Sequence, residues 1–159
     1  MQLRFQKASA ADIAYLTEVR LKVLRSANGL PDGAALPEVE AQTRVYYEQA
    51  LRDGSHIAYL VFDGERFAAS GGVSFFRVLP TCHVPTGEKA YIMNLYTEPA
   101  YRRKGIAWRV LDLLVREARE KGVSEIMLEA TAMGRPLYEK YGFVGMPDEM
   151  ELSPFRQCE

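Results

Sequence analysis

Cysteine and histidine are scarce in this sequence, and neither forms a recognisable cluster. The two cysteines, Cys82 and Cys158, stand far apart and outside any Cys-x-x-Cys pattern, and His56 and His83 lack the spacing of metal ligands. This pattern excludes a disulfide framework and a zinc site, because both need several such residues at short, regular spacings. We expect two free thiols, two histidines that are ordinary polar residues of strands or loops, and no metal.

An excess of charge of one sign is also missing. The 20 Lys and Arg side chains nearly cancel the 21 Asp and Glu side chains. Nucleic-acid binding draws on a surplus of Lys and Arg, so a nucleic-acid partner is not expected. No apolar run approaches the roughly 18 residues that span a bilayer, and residues 1–6 alternate in polarity without the apolar centre of a signal peptide. These absences predict a cytoplasmic protein with no membrane partner.

Enough apolar material is present to build a core. Apolar residues make up 48% of the 159 residues and charged residues 26%, which is ordinary for a globular protein. A chain of this length fits one core of about 100–200 residues. Because no internal repeat, low-complexity tract or linker interrupts the sequence, residues 1–159 are predicted to form a single domain.

Apolar periodicity and turn residues predict the element order β-α-α-β-β-β-α-β-α-β-β, which indicates a mixed α/β sheet. Helices are predicted where apolar residues recur every three or four positions between capping or breaking residues, and strands where apolar and polar residues alternate. The predicted elements are a strand at 3–7, helices at 9–28 and 37–53, strands from 57, at 67–79 and at 90–97, a helix at 105–121, a strand at 124–130, a helix at 135–141, and two terminal strands at Phe143 and Met150–Leu152.

A basic turn precedes the most regular of these helices. Arg102, Arg103 and Lys104 stand directly before Gly105, where the helix begins. A helix N-terminus presents unpaired N–H groups and a partial positive charge, which together bind anions. Basic side chains at that end oppose the helix dipole unless an anion compensates them, so the pattern indicates a phosphate site. From composition alone, a solvated basic turn with no ligand remains the alternative.

Two motifs resemble those of one enzyme family. The run Arg102-Arg-Lys-Gly-Ile-Ala107 matches the Arg/Gln-x-x-Gly-x-Gly/Ala signature of the GNAT superfamily of N-acetyltransferases, and Leu95-Tyr-Thr-Glu-Pro-Ala-Tyr101 looks like the strand end and lead-in of many bacterial members. The run Leu137-Tyr-Glu-Lys-Tyr-Gly-Phe143 is similar to that family's Leu-Tyr-x-Lys-x-Gly-Phe segment. Because both motifs occur in the family's order and at its distance, the chain is identified as a bacterial-type, single-domain GNAT N-acetyltransferase.

The resemblance implies a fold and a co-substrate. The fold would be a single mixed, mostly antiparallel sheet flanked by helices, and the co-substrate would be acetyl-CoA. Backbone N–H groups of the basic turn would hold its pyrophosphate, and its pantetheine arm would pair with a strand edge left open where the neighbouring strand splays away. The residues implied to bind acetyl-CoA are Leu95, Tyr96, Thr97, Arg102, Arg103, Lys104, Gly105, Ile106 and Ala107. Thr131 stands where many relatives carry an Asn that contacts the cofactor arm, so we expect that contact to be absent or altered.

The chemistry implied is transfer of the acetyl group to a primary amine of a small-molecule or peptide acceptor by direct attack. Tyr138, the tyrosine of the second motif, is the implied acid for the departing thiolate, because a phenol is an O–H donor at neutral pH. Tyr141 is interpreted as a packing residue. Glu129 and Glu98 are candidate bases, but each also fits a surface carboxylate, and no base is assigned.

The sequence leaves several alternatives open. A non-catalytic acyl-CoA sensor on the same fold would keep the phosphate turn, and a nucleotide- or RNA-binding module would use that turn alone, although no Walker-type loop is present. Acceptor choice is expected from the first helix pair with its loop, Ser26–Pro37, and from the segment Val144–Glu151. The identity of the amine and a homodimeric state stay undecided by the sequence.

Overall fold

The structure is a computed structural model that describes residues 1–152. Contacts group the chain into two compact units, Met1–Glu129 and a second unit that begins at Ala130. No helix in the described range is long and apolar enough to cross a membrane. In the same range, no group of three or more His, Cys, Asp or Glu side chains is placed to hold a metal ion. The single domain over residues 1–159 stays a prediction.

The described elements follow the predicted order as far as the last helix. Among the described residues, the first unit contains five strands and three α-helices, and the second contains one short α-helix. Their bounds are β1 Leu3–Lys7, α1 Ile13–Ala27, α2 Pro37–Asp53, β2 His56–Asp63, β3 Arg66–Arg77, β4 Glu88–Thr97, α3 Ile106–Glu120, β5 Glu125–Leu128 and α4 Arg135–Tyr141.

One five-stranded sheet runs in the order β1-β2-β3-β4-β5. The first three pairings are antiparallel, and only β4 and β5 run parallel. Helix α3 makes the crossover between these last two strands, as a parallel pair requires. The expectation of a mixed, mostly antiparallel sheet flanked by helices is therefore confirmed.

Helices α1 and α2 begin and end at the predicted signals. Ser9 and Asp12 form the capping box, in which Ser9 Oγ accepts from Ala11 N–H and Asp12 Oδ2 accepts from Ser9 N–H, before a 3-10 turn leads into α1. Pro37 opens α2, and Gly54 closes it with φ of +76°, a left-handed conformation that glycine adopts readily. Both helices bury side chains against the sheet in a cluster of Leu16, Val19, Tyr47, Ala58 and Leu60.

Helix α3 covers the opposite face of the sheet. Alternate side chains of β2 separate the two faces, because Ala58 and Leu60 belong to the α1–α2 cluster while Tyr59 donates from its hydroxyl to Glu117 of α3 at 2.6 Å. At Gly71 the sheet comes so close to α3 that a Cβ would lie 2.6 Å from Val110 Cγ1. The buried side chains of α3 are Ile106, Val110, Leu111, Leu114, Val115 and Ala118. Each large one contributes about 1.5–3 kcal/mol, which anchors the turn at the N-terminus of the helix.

The two terminal strands predicted at Phe143 and Met150–Leu152 are wrong for the described residues, which contain no strand after α4. Phe143 N–H instead donates to Tyr138 O at 2.9 Å and completes the end of α4. Pro147 lacks the N–H that a strand ladder needs. Met150 is 98% exposed, so no apolar contact among the described residues favours a strand at that point.

Candidate active site

The C-terminal half of β4 has one open edge. Pairing with β5 extends from Lys89 opposite Glu125 to Ile92 opposite Leu128 and then stops, whereas β4 continues to Thr97. Glu98 N–H donates to Ala68 O on the β3 side. Hydrogen-bonding groups alternate along a strand, so the peptide groups of Thr97 and Leu95 face away from β3, toward the open edge.

A bulge marks the point where this edge begins. The register between β3 and β4 shifts between Ser70 and Gly72, and Asn94 has φ of +58°. Asn94 tolerates this conformation because its short polar side chain is among the few that enter the left-handed region. Ser70 Oγ donates to Asn94 O at 3.2 Å and fixes the bulge. The bulge bends β4 close to the point where its pairing with β5 has ended.

The turn after β4 presents a row of backbone N–H groups. Arg103 has φ of +63° and Gly105 has φ of +76°, and Gly105 is the N-cap of α3 with no side-chain cap. Within residues 1–152, no acceptor receives a hydrogen bond from the N–H groups of Arg103 to Ala107. Successive N–H groups in a turn with left-handed residues form a concave anion site, and the α3 dipole adds positive charge.

Two of the basic side chains of this turn stabilise it by hydrogen bonds to backbone carbonyls. Arg102 Nε donates to Thr97 O at 3.1 Å, and Lys104 Nζ donates to Ala100 O at 3.0 Å. Lys104 also lies over the Tyr101 ring, 5.4 Å from its centroid. All three basic residues are exposed, so their charge adds to an anion site whose geometry the backbone sets.

The edge and the turn together fit an extended ligand that carries phosphate. The peptide group of Leu95 and the N–H of Thr97 resemble a sheet edge that lacks its next strand, while the Thr97 carbonyl already accepts from Arg102. The N–H row of the turn follows a few residues later. Thr97 Oγ1 is buried and has no hydrogen-bond partner among the described residues, which is rare in proteins. These observations fit acetyl-CoA, whose pantetheine arm is extended and amide-bearing and whose pyrophosphate is anionic.

A cavity of about 480 Å³ opens on the α1–α2 side of the sheet. Its lining includes the bulge residue Asn94, so it adjoins the beginning of the open edge. The volume is typical of small-molecule sites. The lining residues are Arg20, Glu38, Val39, Gln42, Thr43, Tyr46, Tyr47, His56, Ser74, Met93 and Asn94.

Three polar side chains form a compact cluster in this cavity. Tyr46 Oη lies 2.8 Å from His56 Nδ1 and 2.7 Å from Ser74 Oγ, and the latter two atoms are 3.0 Å apart. Burial, together with the nearby Arg20 charge, lowers the pKa of His56 to about 4, so its imidazole is neutral at pH 7. Burial raises the pKa of Tyr46 and keeps its hydroxyl protonated. The cluster can donate and accept hydrogen bonds without carrying charge.

Arg20 supplies a positive charge beside this neutral cluster. Its Nη1 donates to Asn94 Oδ1 at 3.2 Å, and it makes no ion pair with a carboxylate in the part of the chain that the structure describes. Burial lowers the pKa of Arg20, which the Tyr47 hydroxyl partly opposes, but a guanidinium still stays charged at neutral pH.

Comparison with known proteins assigns the chain to a family of acetyltransferases. The model of the GNAT family of acetyltransferases matches residues 25–143. The chain belongs to the GNAT family. An uncharacterized N-acetyltransferase of Bacillus subtilis, YsnE, is 30% identical over 100 residues, an alignment that spans 60% of each protein.

Solved GNAT structures share the fold over nearly the whole chain. A predicted acetyltransferase from Clostridium acetobutylicum, whose crystal structure is with acetyl-CoA, is 32% identical with a TM-score of 0.86 and covers 95% of this chain and 96% of its own. A GCN5-related N-acetyltransferase from Ralstonia eutropha is 24% identical with a TM-score of 0.77, over 95% and 98% of the two chains. The second likeness bears on the fold alone.

The GNAT motif tyrosine lies on the helix of the second unit. Tyr138, on α4, is half-buried, and its ring contacts that of Phe143 at 6.1 Å between centroids. Burial raises its pKa, so the phenol remains a proton donor at neutral pH. Tyr141 also contacts Phe143, at 6.0 Å. Thr131 Oγ1 accepts from Gly134 N–H at 3.1 Å and helps to begin α4, so one of its lone pairs is already engaged.

The structure brings together the residues that sequence predicted for the GNAT cofactor, because the β4 edge and the basic turn are adjacent within the first unit. Their binding roles stay predictions. Of the two candidate bases, Glu98 forms an ion pair with Lys22, and Glu129 is exposed. Sequence reasoning does not find the cavity cluster, because the spacing of His56 indicates only an ordinary polar residue. The sequence does contain one signal for this cluster: His56 and Ser74 are polar residues on the core-facing side of apolar strands.

Proposed function

We propose that this chain transfers an acetyl group from acetyl-CoA to a primary amine of a small-molecule or peptide acceptor. The single observation that carries the proposal is the continuity of the open β4 edge with the unpaired N–H row of the next turn. When bound, acetyl-CoA supplies an acetyl group activated as a thioester, which an amine can attack directly.

Backbone groups do most of the proposed binding of acetyl-CoA. Leu95 and Thr97 offer peptide groups to the pantetheine arm, with Tyr96 between them held on β3. Pyrophosphate is received by the N–H groups of Arg103 to Ala107, while Arg102 and Lys104 brace the turn. A peptide N–H at Leu95 would polarise the carbonyl under attack, as a preorganised donor does in other acyl transfers.

The cavity beside Asn94 is the proposed site of the acceptor amine, because it adjoins the β4 edge at the bulge. Holding two substrates in place supplies much of the rate of a direct transfer. Tyr138 is proposed to donate its phenol proton to the departing thiolate, which its position in the family motif supports. No side chain is proposed as the base that removes the amine proton.

A non-catalytic acyl-CoA sensor is the second candidate, since it would use the same edge and turn. The presence of Tyr138 in the family motif and a cavity of small-molecule size beside the edge favour the enzyme. A cytoplasmic location is part of the proposal and rests on the interpretation of the cysteines as free thiols. A homodimer remains a separate hypothesis.

Thermal melting with CoA, acetyl-CoA, ATP and an RNA oligomer tests the binding proposal, because a ligand of the native state raises the midpoint. CoA and acetyl-CoA are expected to raise the Tm well above the value with equal concentrations of ATP. Equal shifts with CoA and ATP would mean that the pantetheine arm contributes nothing. A panel of amines, followed by the release of free CoA thiol, then separates the enzyme from the sensor.

A further inference from the structure

The acceptor cavity contains a cation that makes no ion pair with any carboxylate among the described residues. Arg20 is half-buried, its only side-chain hydrogen bond in residues 1–152 goes to the neutral amide of Asn94, and no carboxylate pairs with it. Removing a guanidinium from water is unfavourable unless a counter-charge or several hydrogen bonds compensate it. Glu38 is an exposed carboxylate that also lines the cavity, but it forms no ion pair with Arg20.

The groups around Arg20 are suited to an anion with an apolar body. Tyr46 and Ser74 carry hydroxyl groups that can donate, and neither adds negative charge at neutral pH. The remaining wall is largely apolar, with Val39, Met93 and the ring of Tyr47. A guanidinium with free N–H groups binds a carboxylate with two parallel hydrogen bonds.

We propose that the acceptor is a primary amine that also carries a carboxylate and an apolar body, as an apolar amino acid does, and that Arg20 binds the carboxylate. This inference rests on the proposed acetyl transfer. Arg20 and Asn94 are joined by a hydrogen bond, and Asn94 is the bulge residue next to Leu95. The anion-binding group is therefore tied to the strand position where the open edge begins, and it would select among amines.

Matched pairs of amines test the role of the carboxylate. Phenylalanine is compared with phenylethylamine, and leucine with 3-methylbutylamine, because each pair differs only by that group. The parent protein is expected to show a kcat/KM about 10-fold or more higher for the carboxylate member, measured as CoA thiol release, since a charge-assisted hydrogen-bond pair is lost with the neutral amine.

Substitution of Arg20 assigns this preference to one side chain. Arg20→Met is expected to lower kcat/KM for phenylalanine about 10- to 100-fold, mainly through KM, and to lower it much less for phenylethylamine, so that the preference for the carboxylate member is lost. Arg20→Lys keeps the charge without the planar fork and should recover part of the loss. Arg44→Met is the matched control, because Arg44 lies on α2 outside the cavity and pairs with Glu40 at the surface.

A binding measurement separates this inference from the acetyl transfer. Calorimetric titration compares N-acetylphenylalanine with N-acetylphenylethylamine on the parent and on Arg20→Met, whose folding is checked by its melting curve. The inference is supported if Arg20→Met binds N-acetylphenylalanine more weakly than the parent does but binds N-acetylphenylethylamine equally well. This result would stand even if no amine released CoA, whereas the lack of CoA release would overturn acetyl transfer. Turnover of both members of each pair with no preference, unchanged in Arg20→Met, would overturn the carboxylate site and leave acetyl transfer standing.

Discussion

The candidate active site has two parts, one formed by backbone groups and the other by side chains. The β4 edge and the turn that follows it present peptide groups, with the unusual conformations of Asn94, Arg103 and Gly105 setting their direction. The cavity beside them presents side chains, with Tyr46 and His56 among the groups that give it polarity. Substitutions should therefore affect the two parts by different rules.

A site made of backbone depends on conformation and tolerates changes in side-chain chemistry. A site made of side chains depends on each hydrogen-bonding or charged group and leaves the backbone unaffected when one group is lost. In this GNAT protein we propose that the backbone part binds acetyl-CoA and that the side-chain part selects the acceptor amine.

The largest effect is expected for the proposed acid. Tyr138→Phe keeps the ring and its contact with Phe143 but removes the proton donor. Turnover should fall by roughly 10²–10⁴-fold, toward the lower end because a thiolate leaves readily, while the KM for acetyl-CoA changes little. Steady-state kinetics on the best amine measure both values. Tyr141→Phe is the control, and equal losses in the two variants would remove Tyr138 from the mechanism.

Changing the backbone at the turn should weaken acetyl-CoA strongly. Gly105→Val places a β-branched residue at φ of +76°, where it is strained. As the turn shifts, hydrogen bonds to phosphate are lost, and the Kd should rise about 100-fold, the equivalent of one or two charge-assisted hydrogen bonds.

Gly122→Val provides a matched control for strain. Gly122 follows α3, has φ of +78° and, like Gly105, has no atom within 4 Å of an added Cβ. Both variants should lose about 1–3 kcal/mol of stability, but only Gly105→Val should bind acetyl-CoA more weakly in a calorimetric titration. Equal affinities in two folded variants would show that the turn at Gly105 does not hold the phosphate.

The cavity should make the stability of the protein depend on pH. The pKa of His56 is lowered from 6.5 to about 4 in the folded chain. Well above pH 6.5 neither the folded nor the unfolded chain protonates His56, so this residue causes no change of stability with pH in that range. As the pH falls from 6.5 to about 4, the unfolded chain binds a proton that the folded chain excludes, and the free energy of unfolding falls by about 3 kcal/mol.

Denaturant unfolding at pH 7 and pH 4.5 measures this dependence. His56→Asn should lose most of it, because the titrating group is gone, whereas His83→Asn should keep it, because His83 is exposed. If the two variants have the same pH dependence as the parent, His56 is not held neutral in the folded chain.

The smallest effect is expected at an exposed charge of the turn. Arg103→Ala removes a charge but keeps its backbone N–H, and exposed charges contribute about 0.2–1 kcal/mol. The Kd of acetyl-CoA should rise by no more than about fivefold. A loss as large as that of Gly105→Val would mean that side chains, and not backbone, carry the phosphate site.

The sequence predicts the part of the site formed by backbone, which is the β4 edge and the turn after it. It does not predict the cavity, which is formed by side chains. The run from Arg102 to Ala107 was identifiable because glycine spacing and a helix start are local properties of the chain. The cavity cluster was not, because Tyr46, His56 and Ser74 come from three separate elements that only the fold brings together. The terminal strands failed for a related reason: alternation around Met150 suggested a strand, but no partner pairs with it in residues 1–152.

Hydrogen exchange of individual backbone amides is a direct test of CoA binding by peptide N–H groups. The amides of Leu95 and Thr97 and those of Arg103 to Ala107 are measured with and without CoA. We expect slower exchange at these positions when CoA is bound, and little change at the paired positions Lys89 to Ile92. Unchanged exchange at both the edge and the turn, under conditions where CoA is bound, would contradict this expectation.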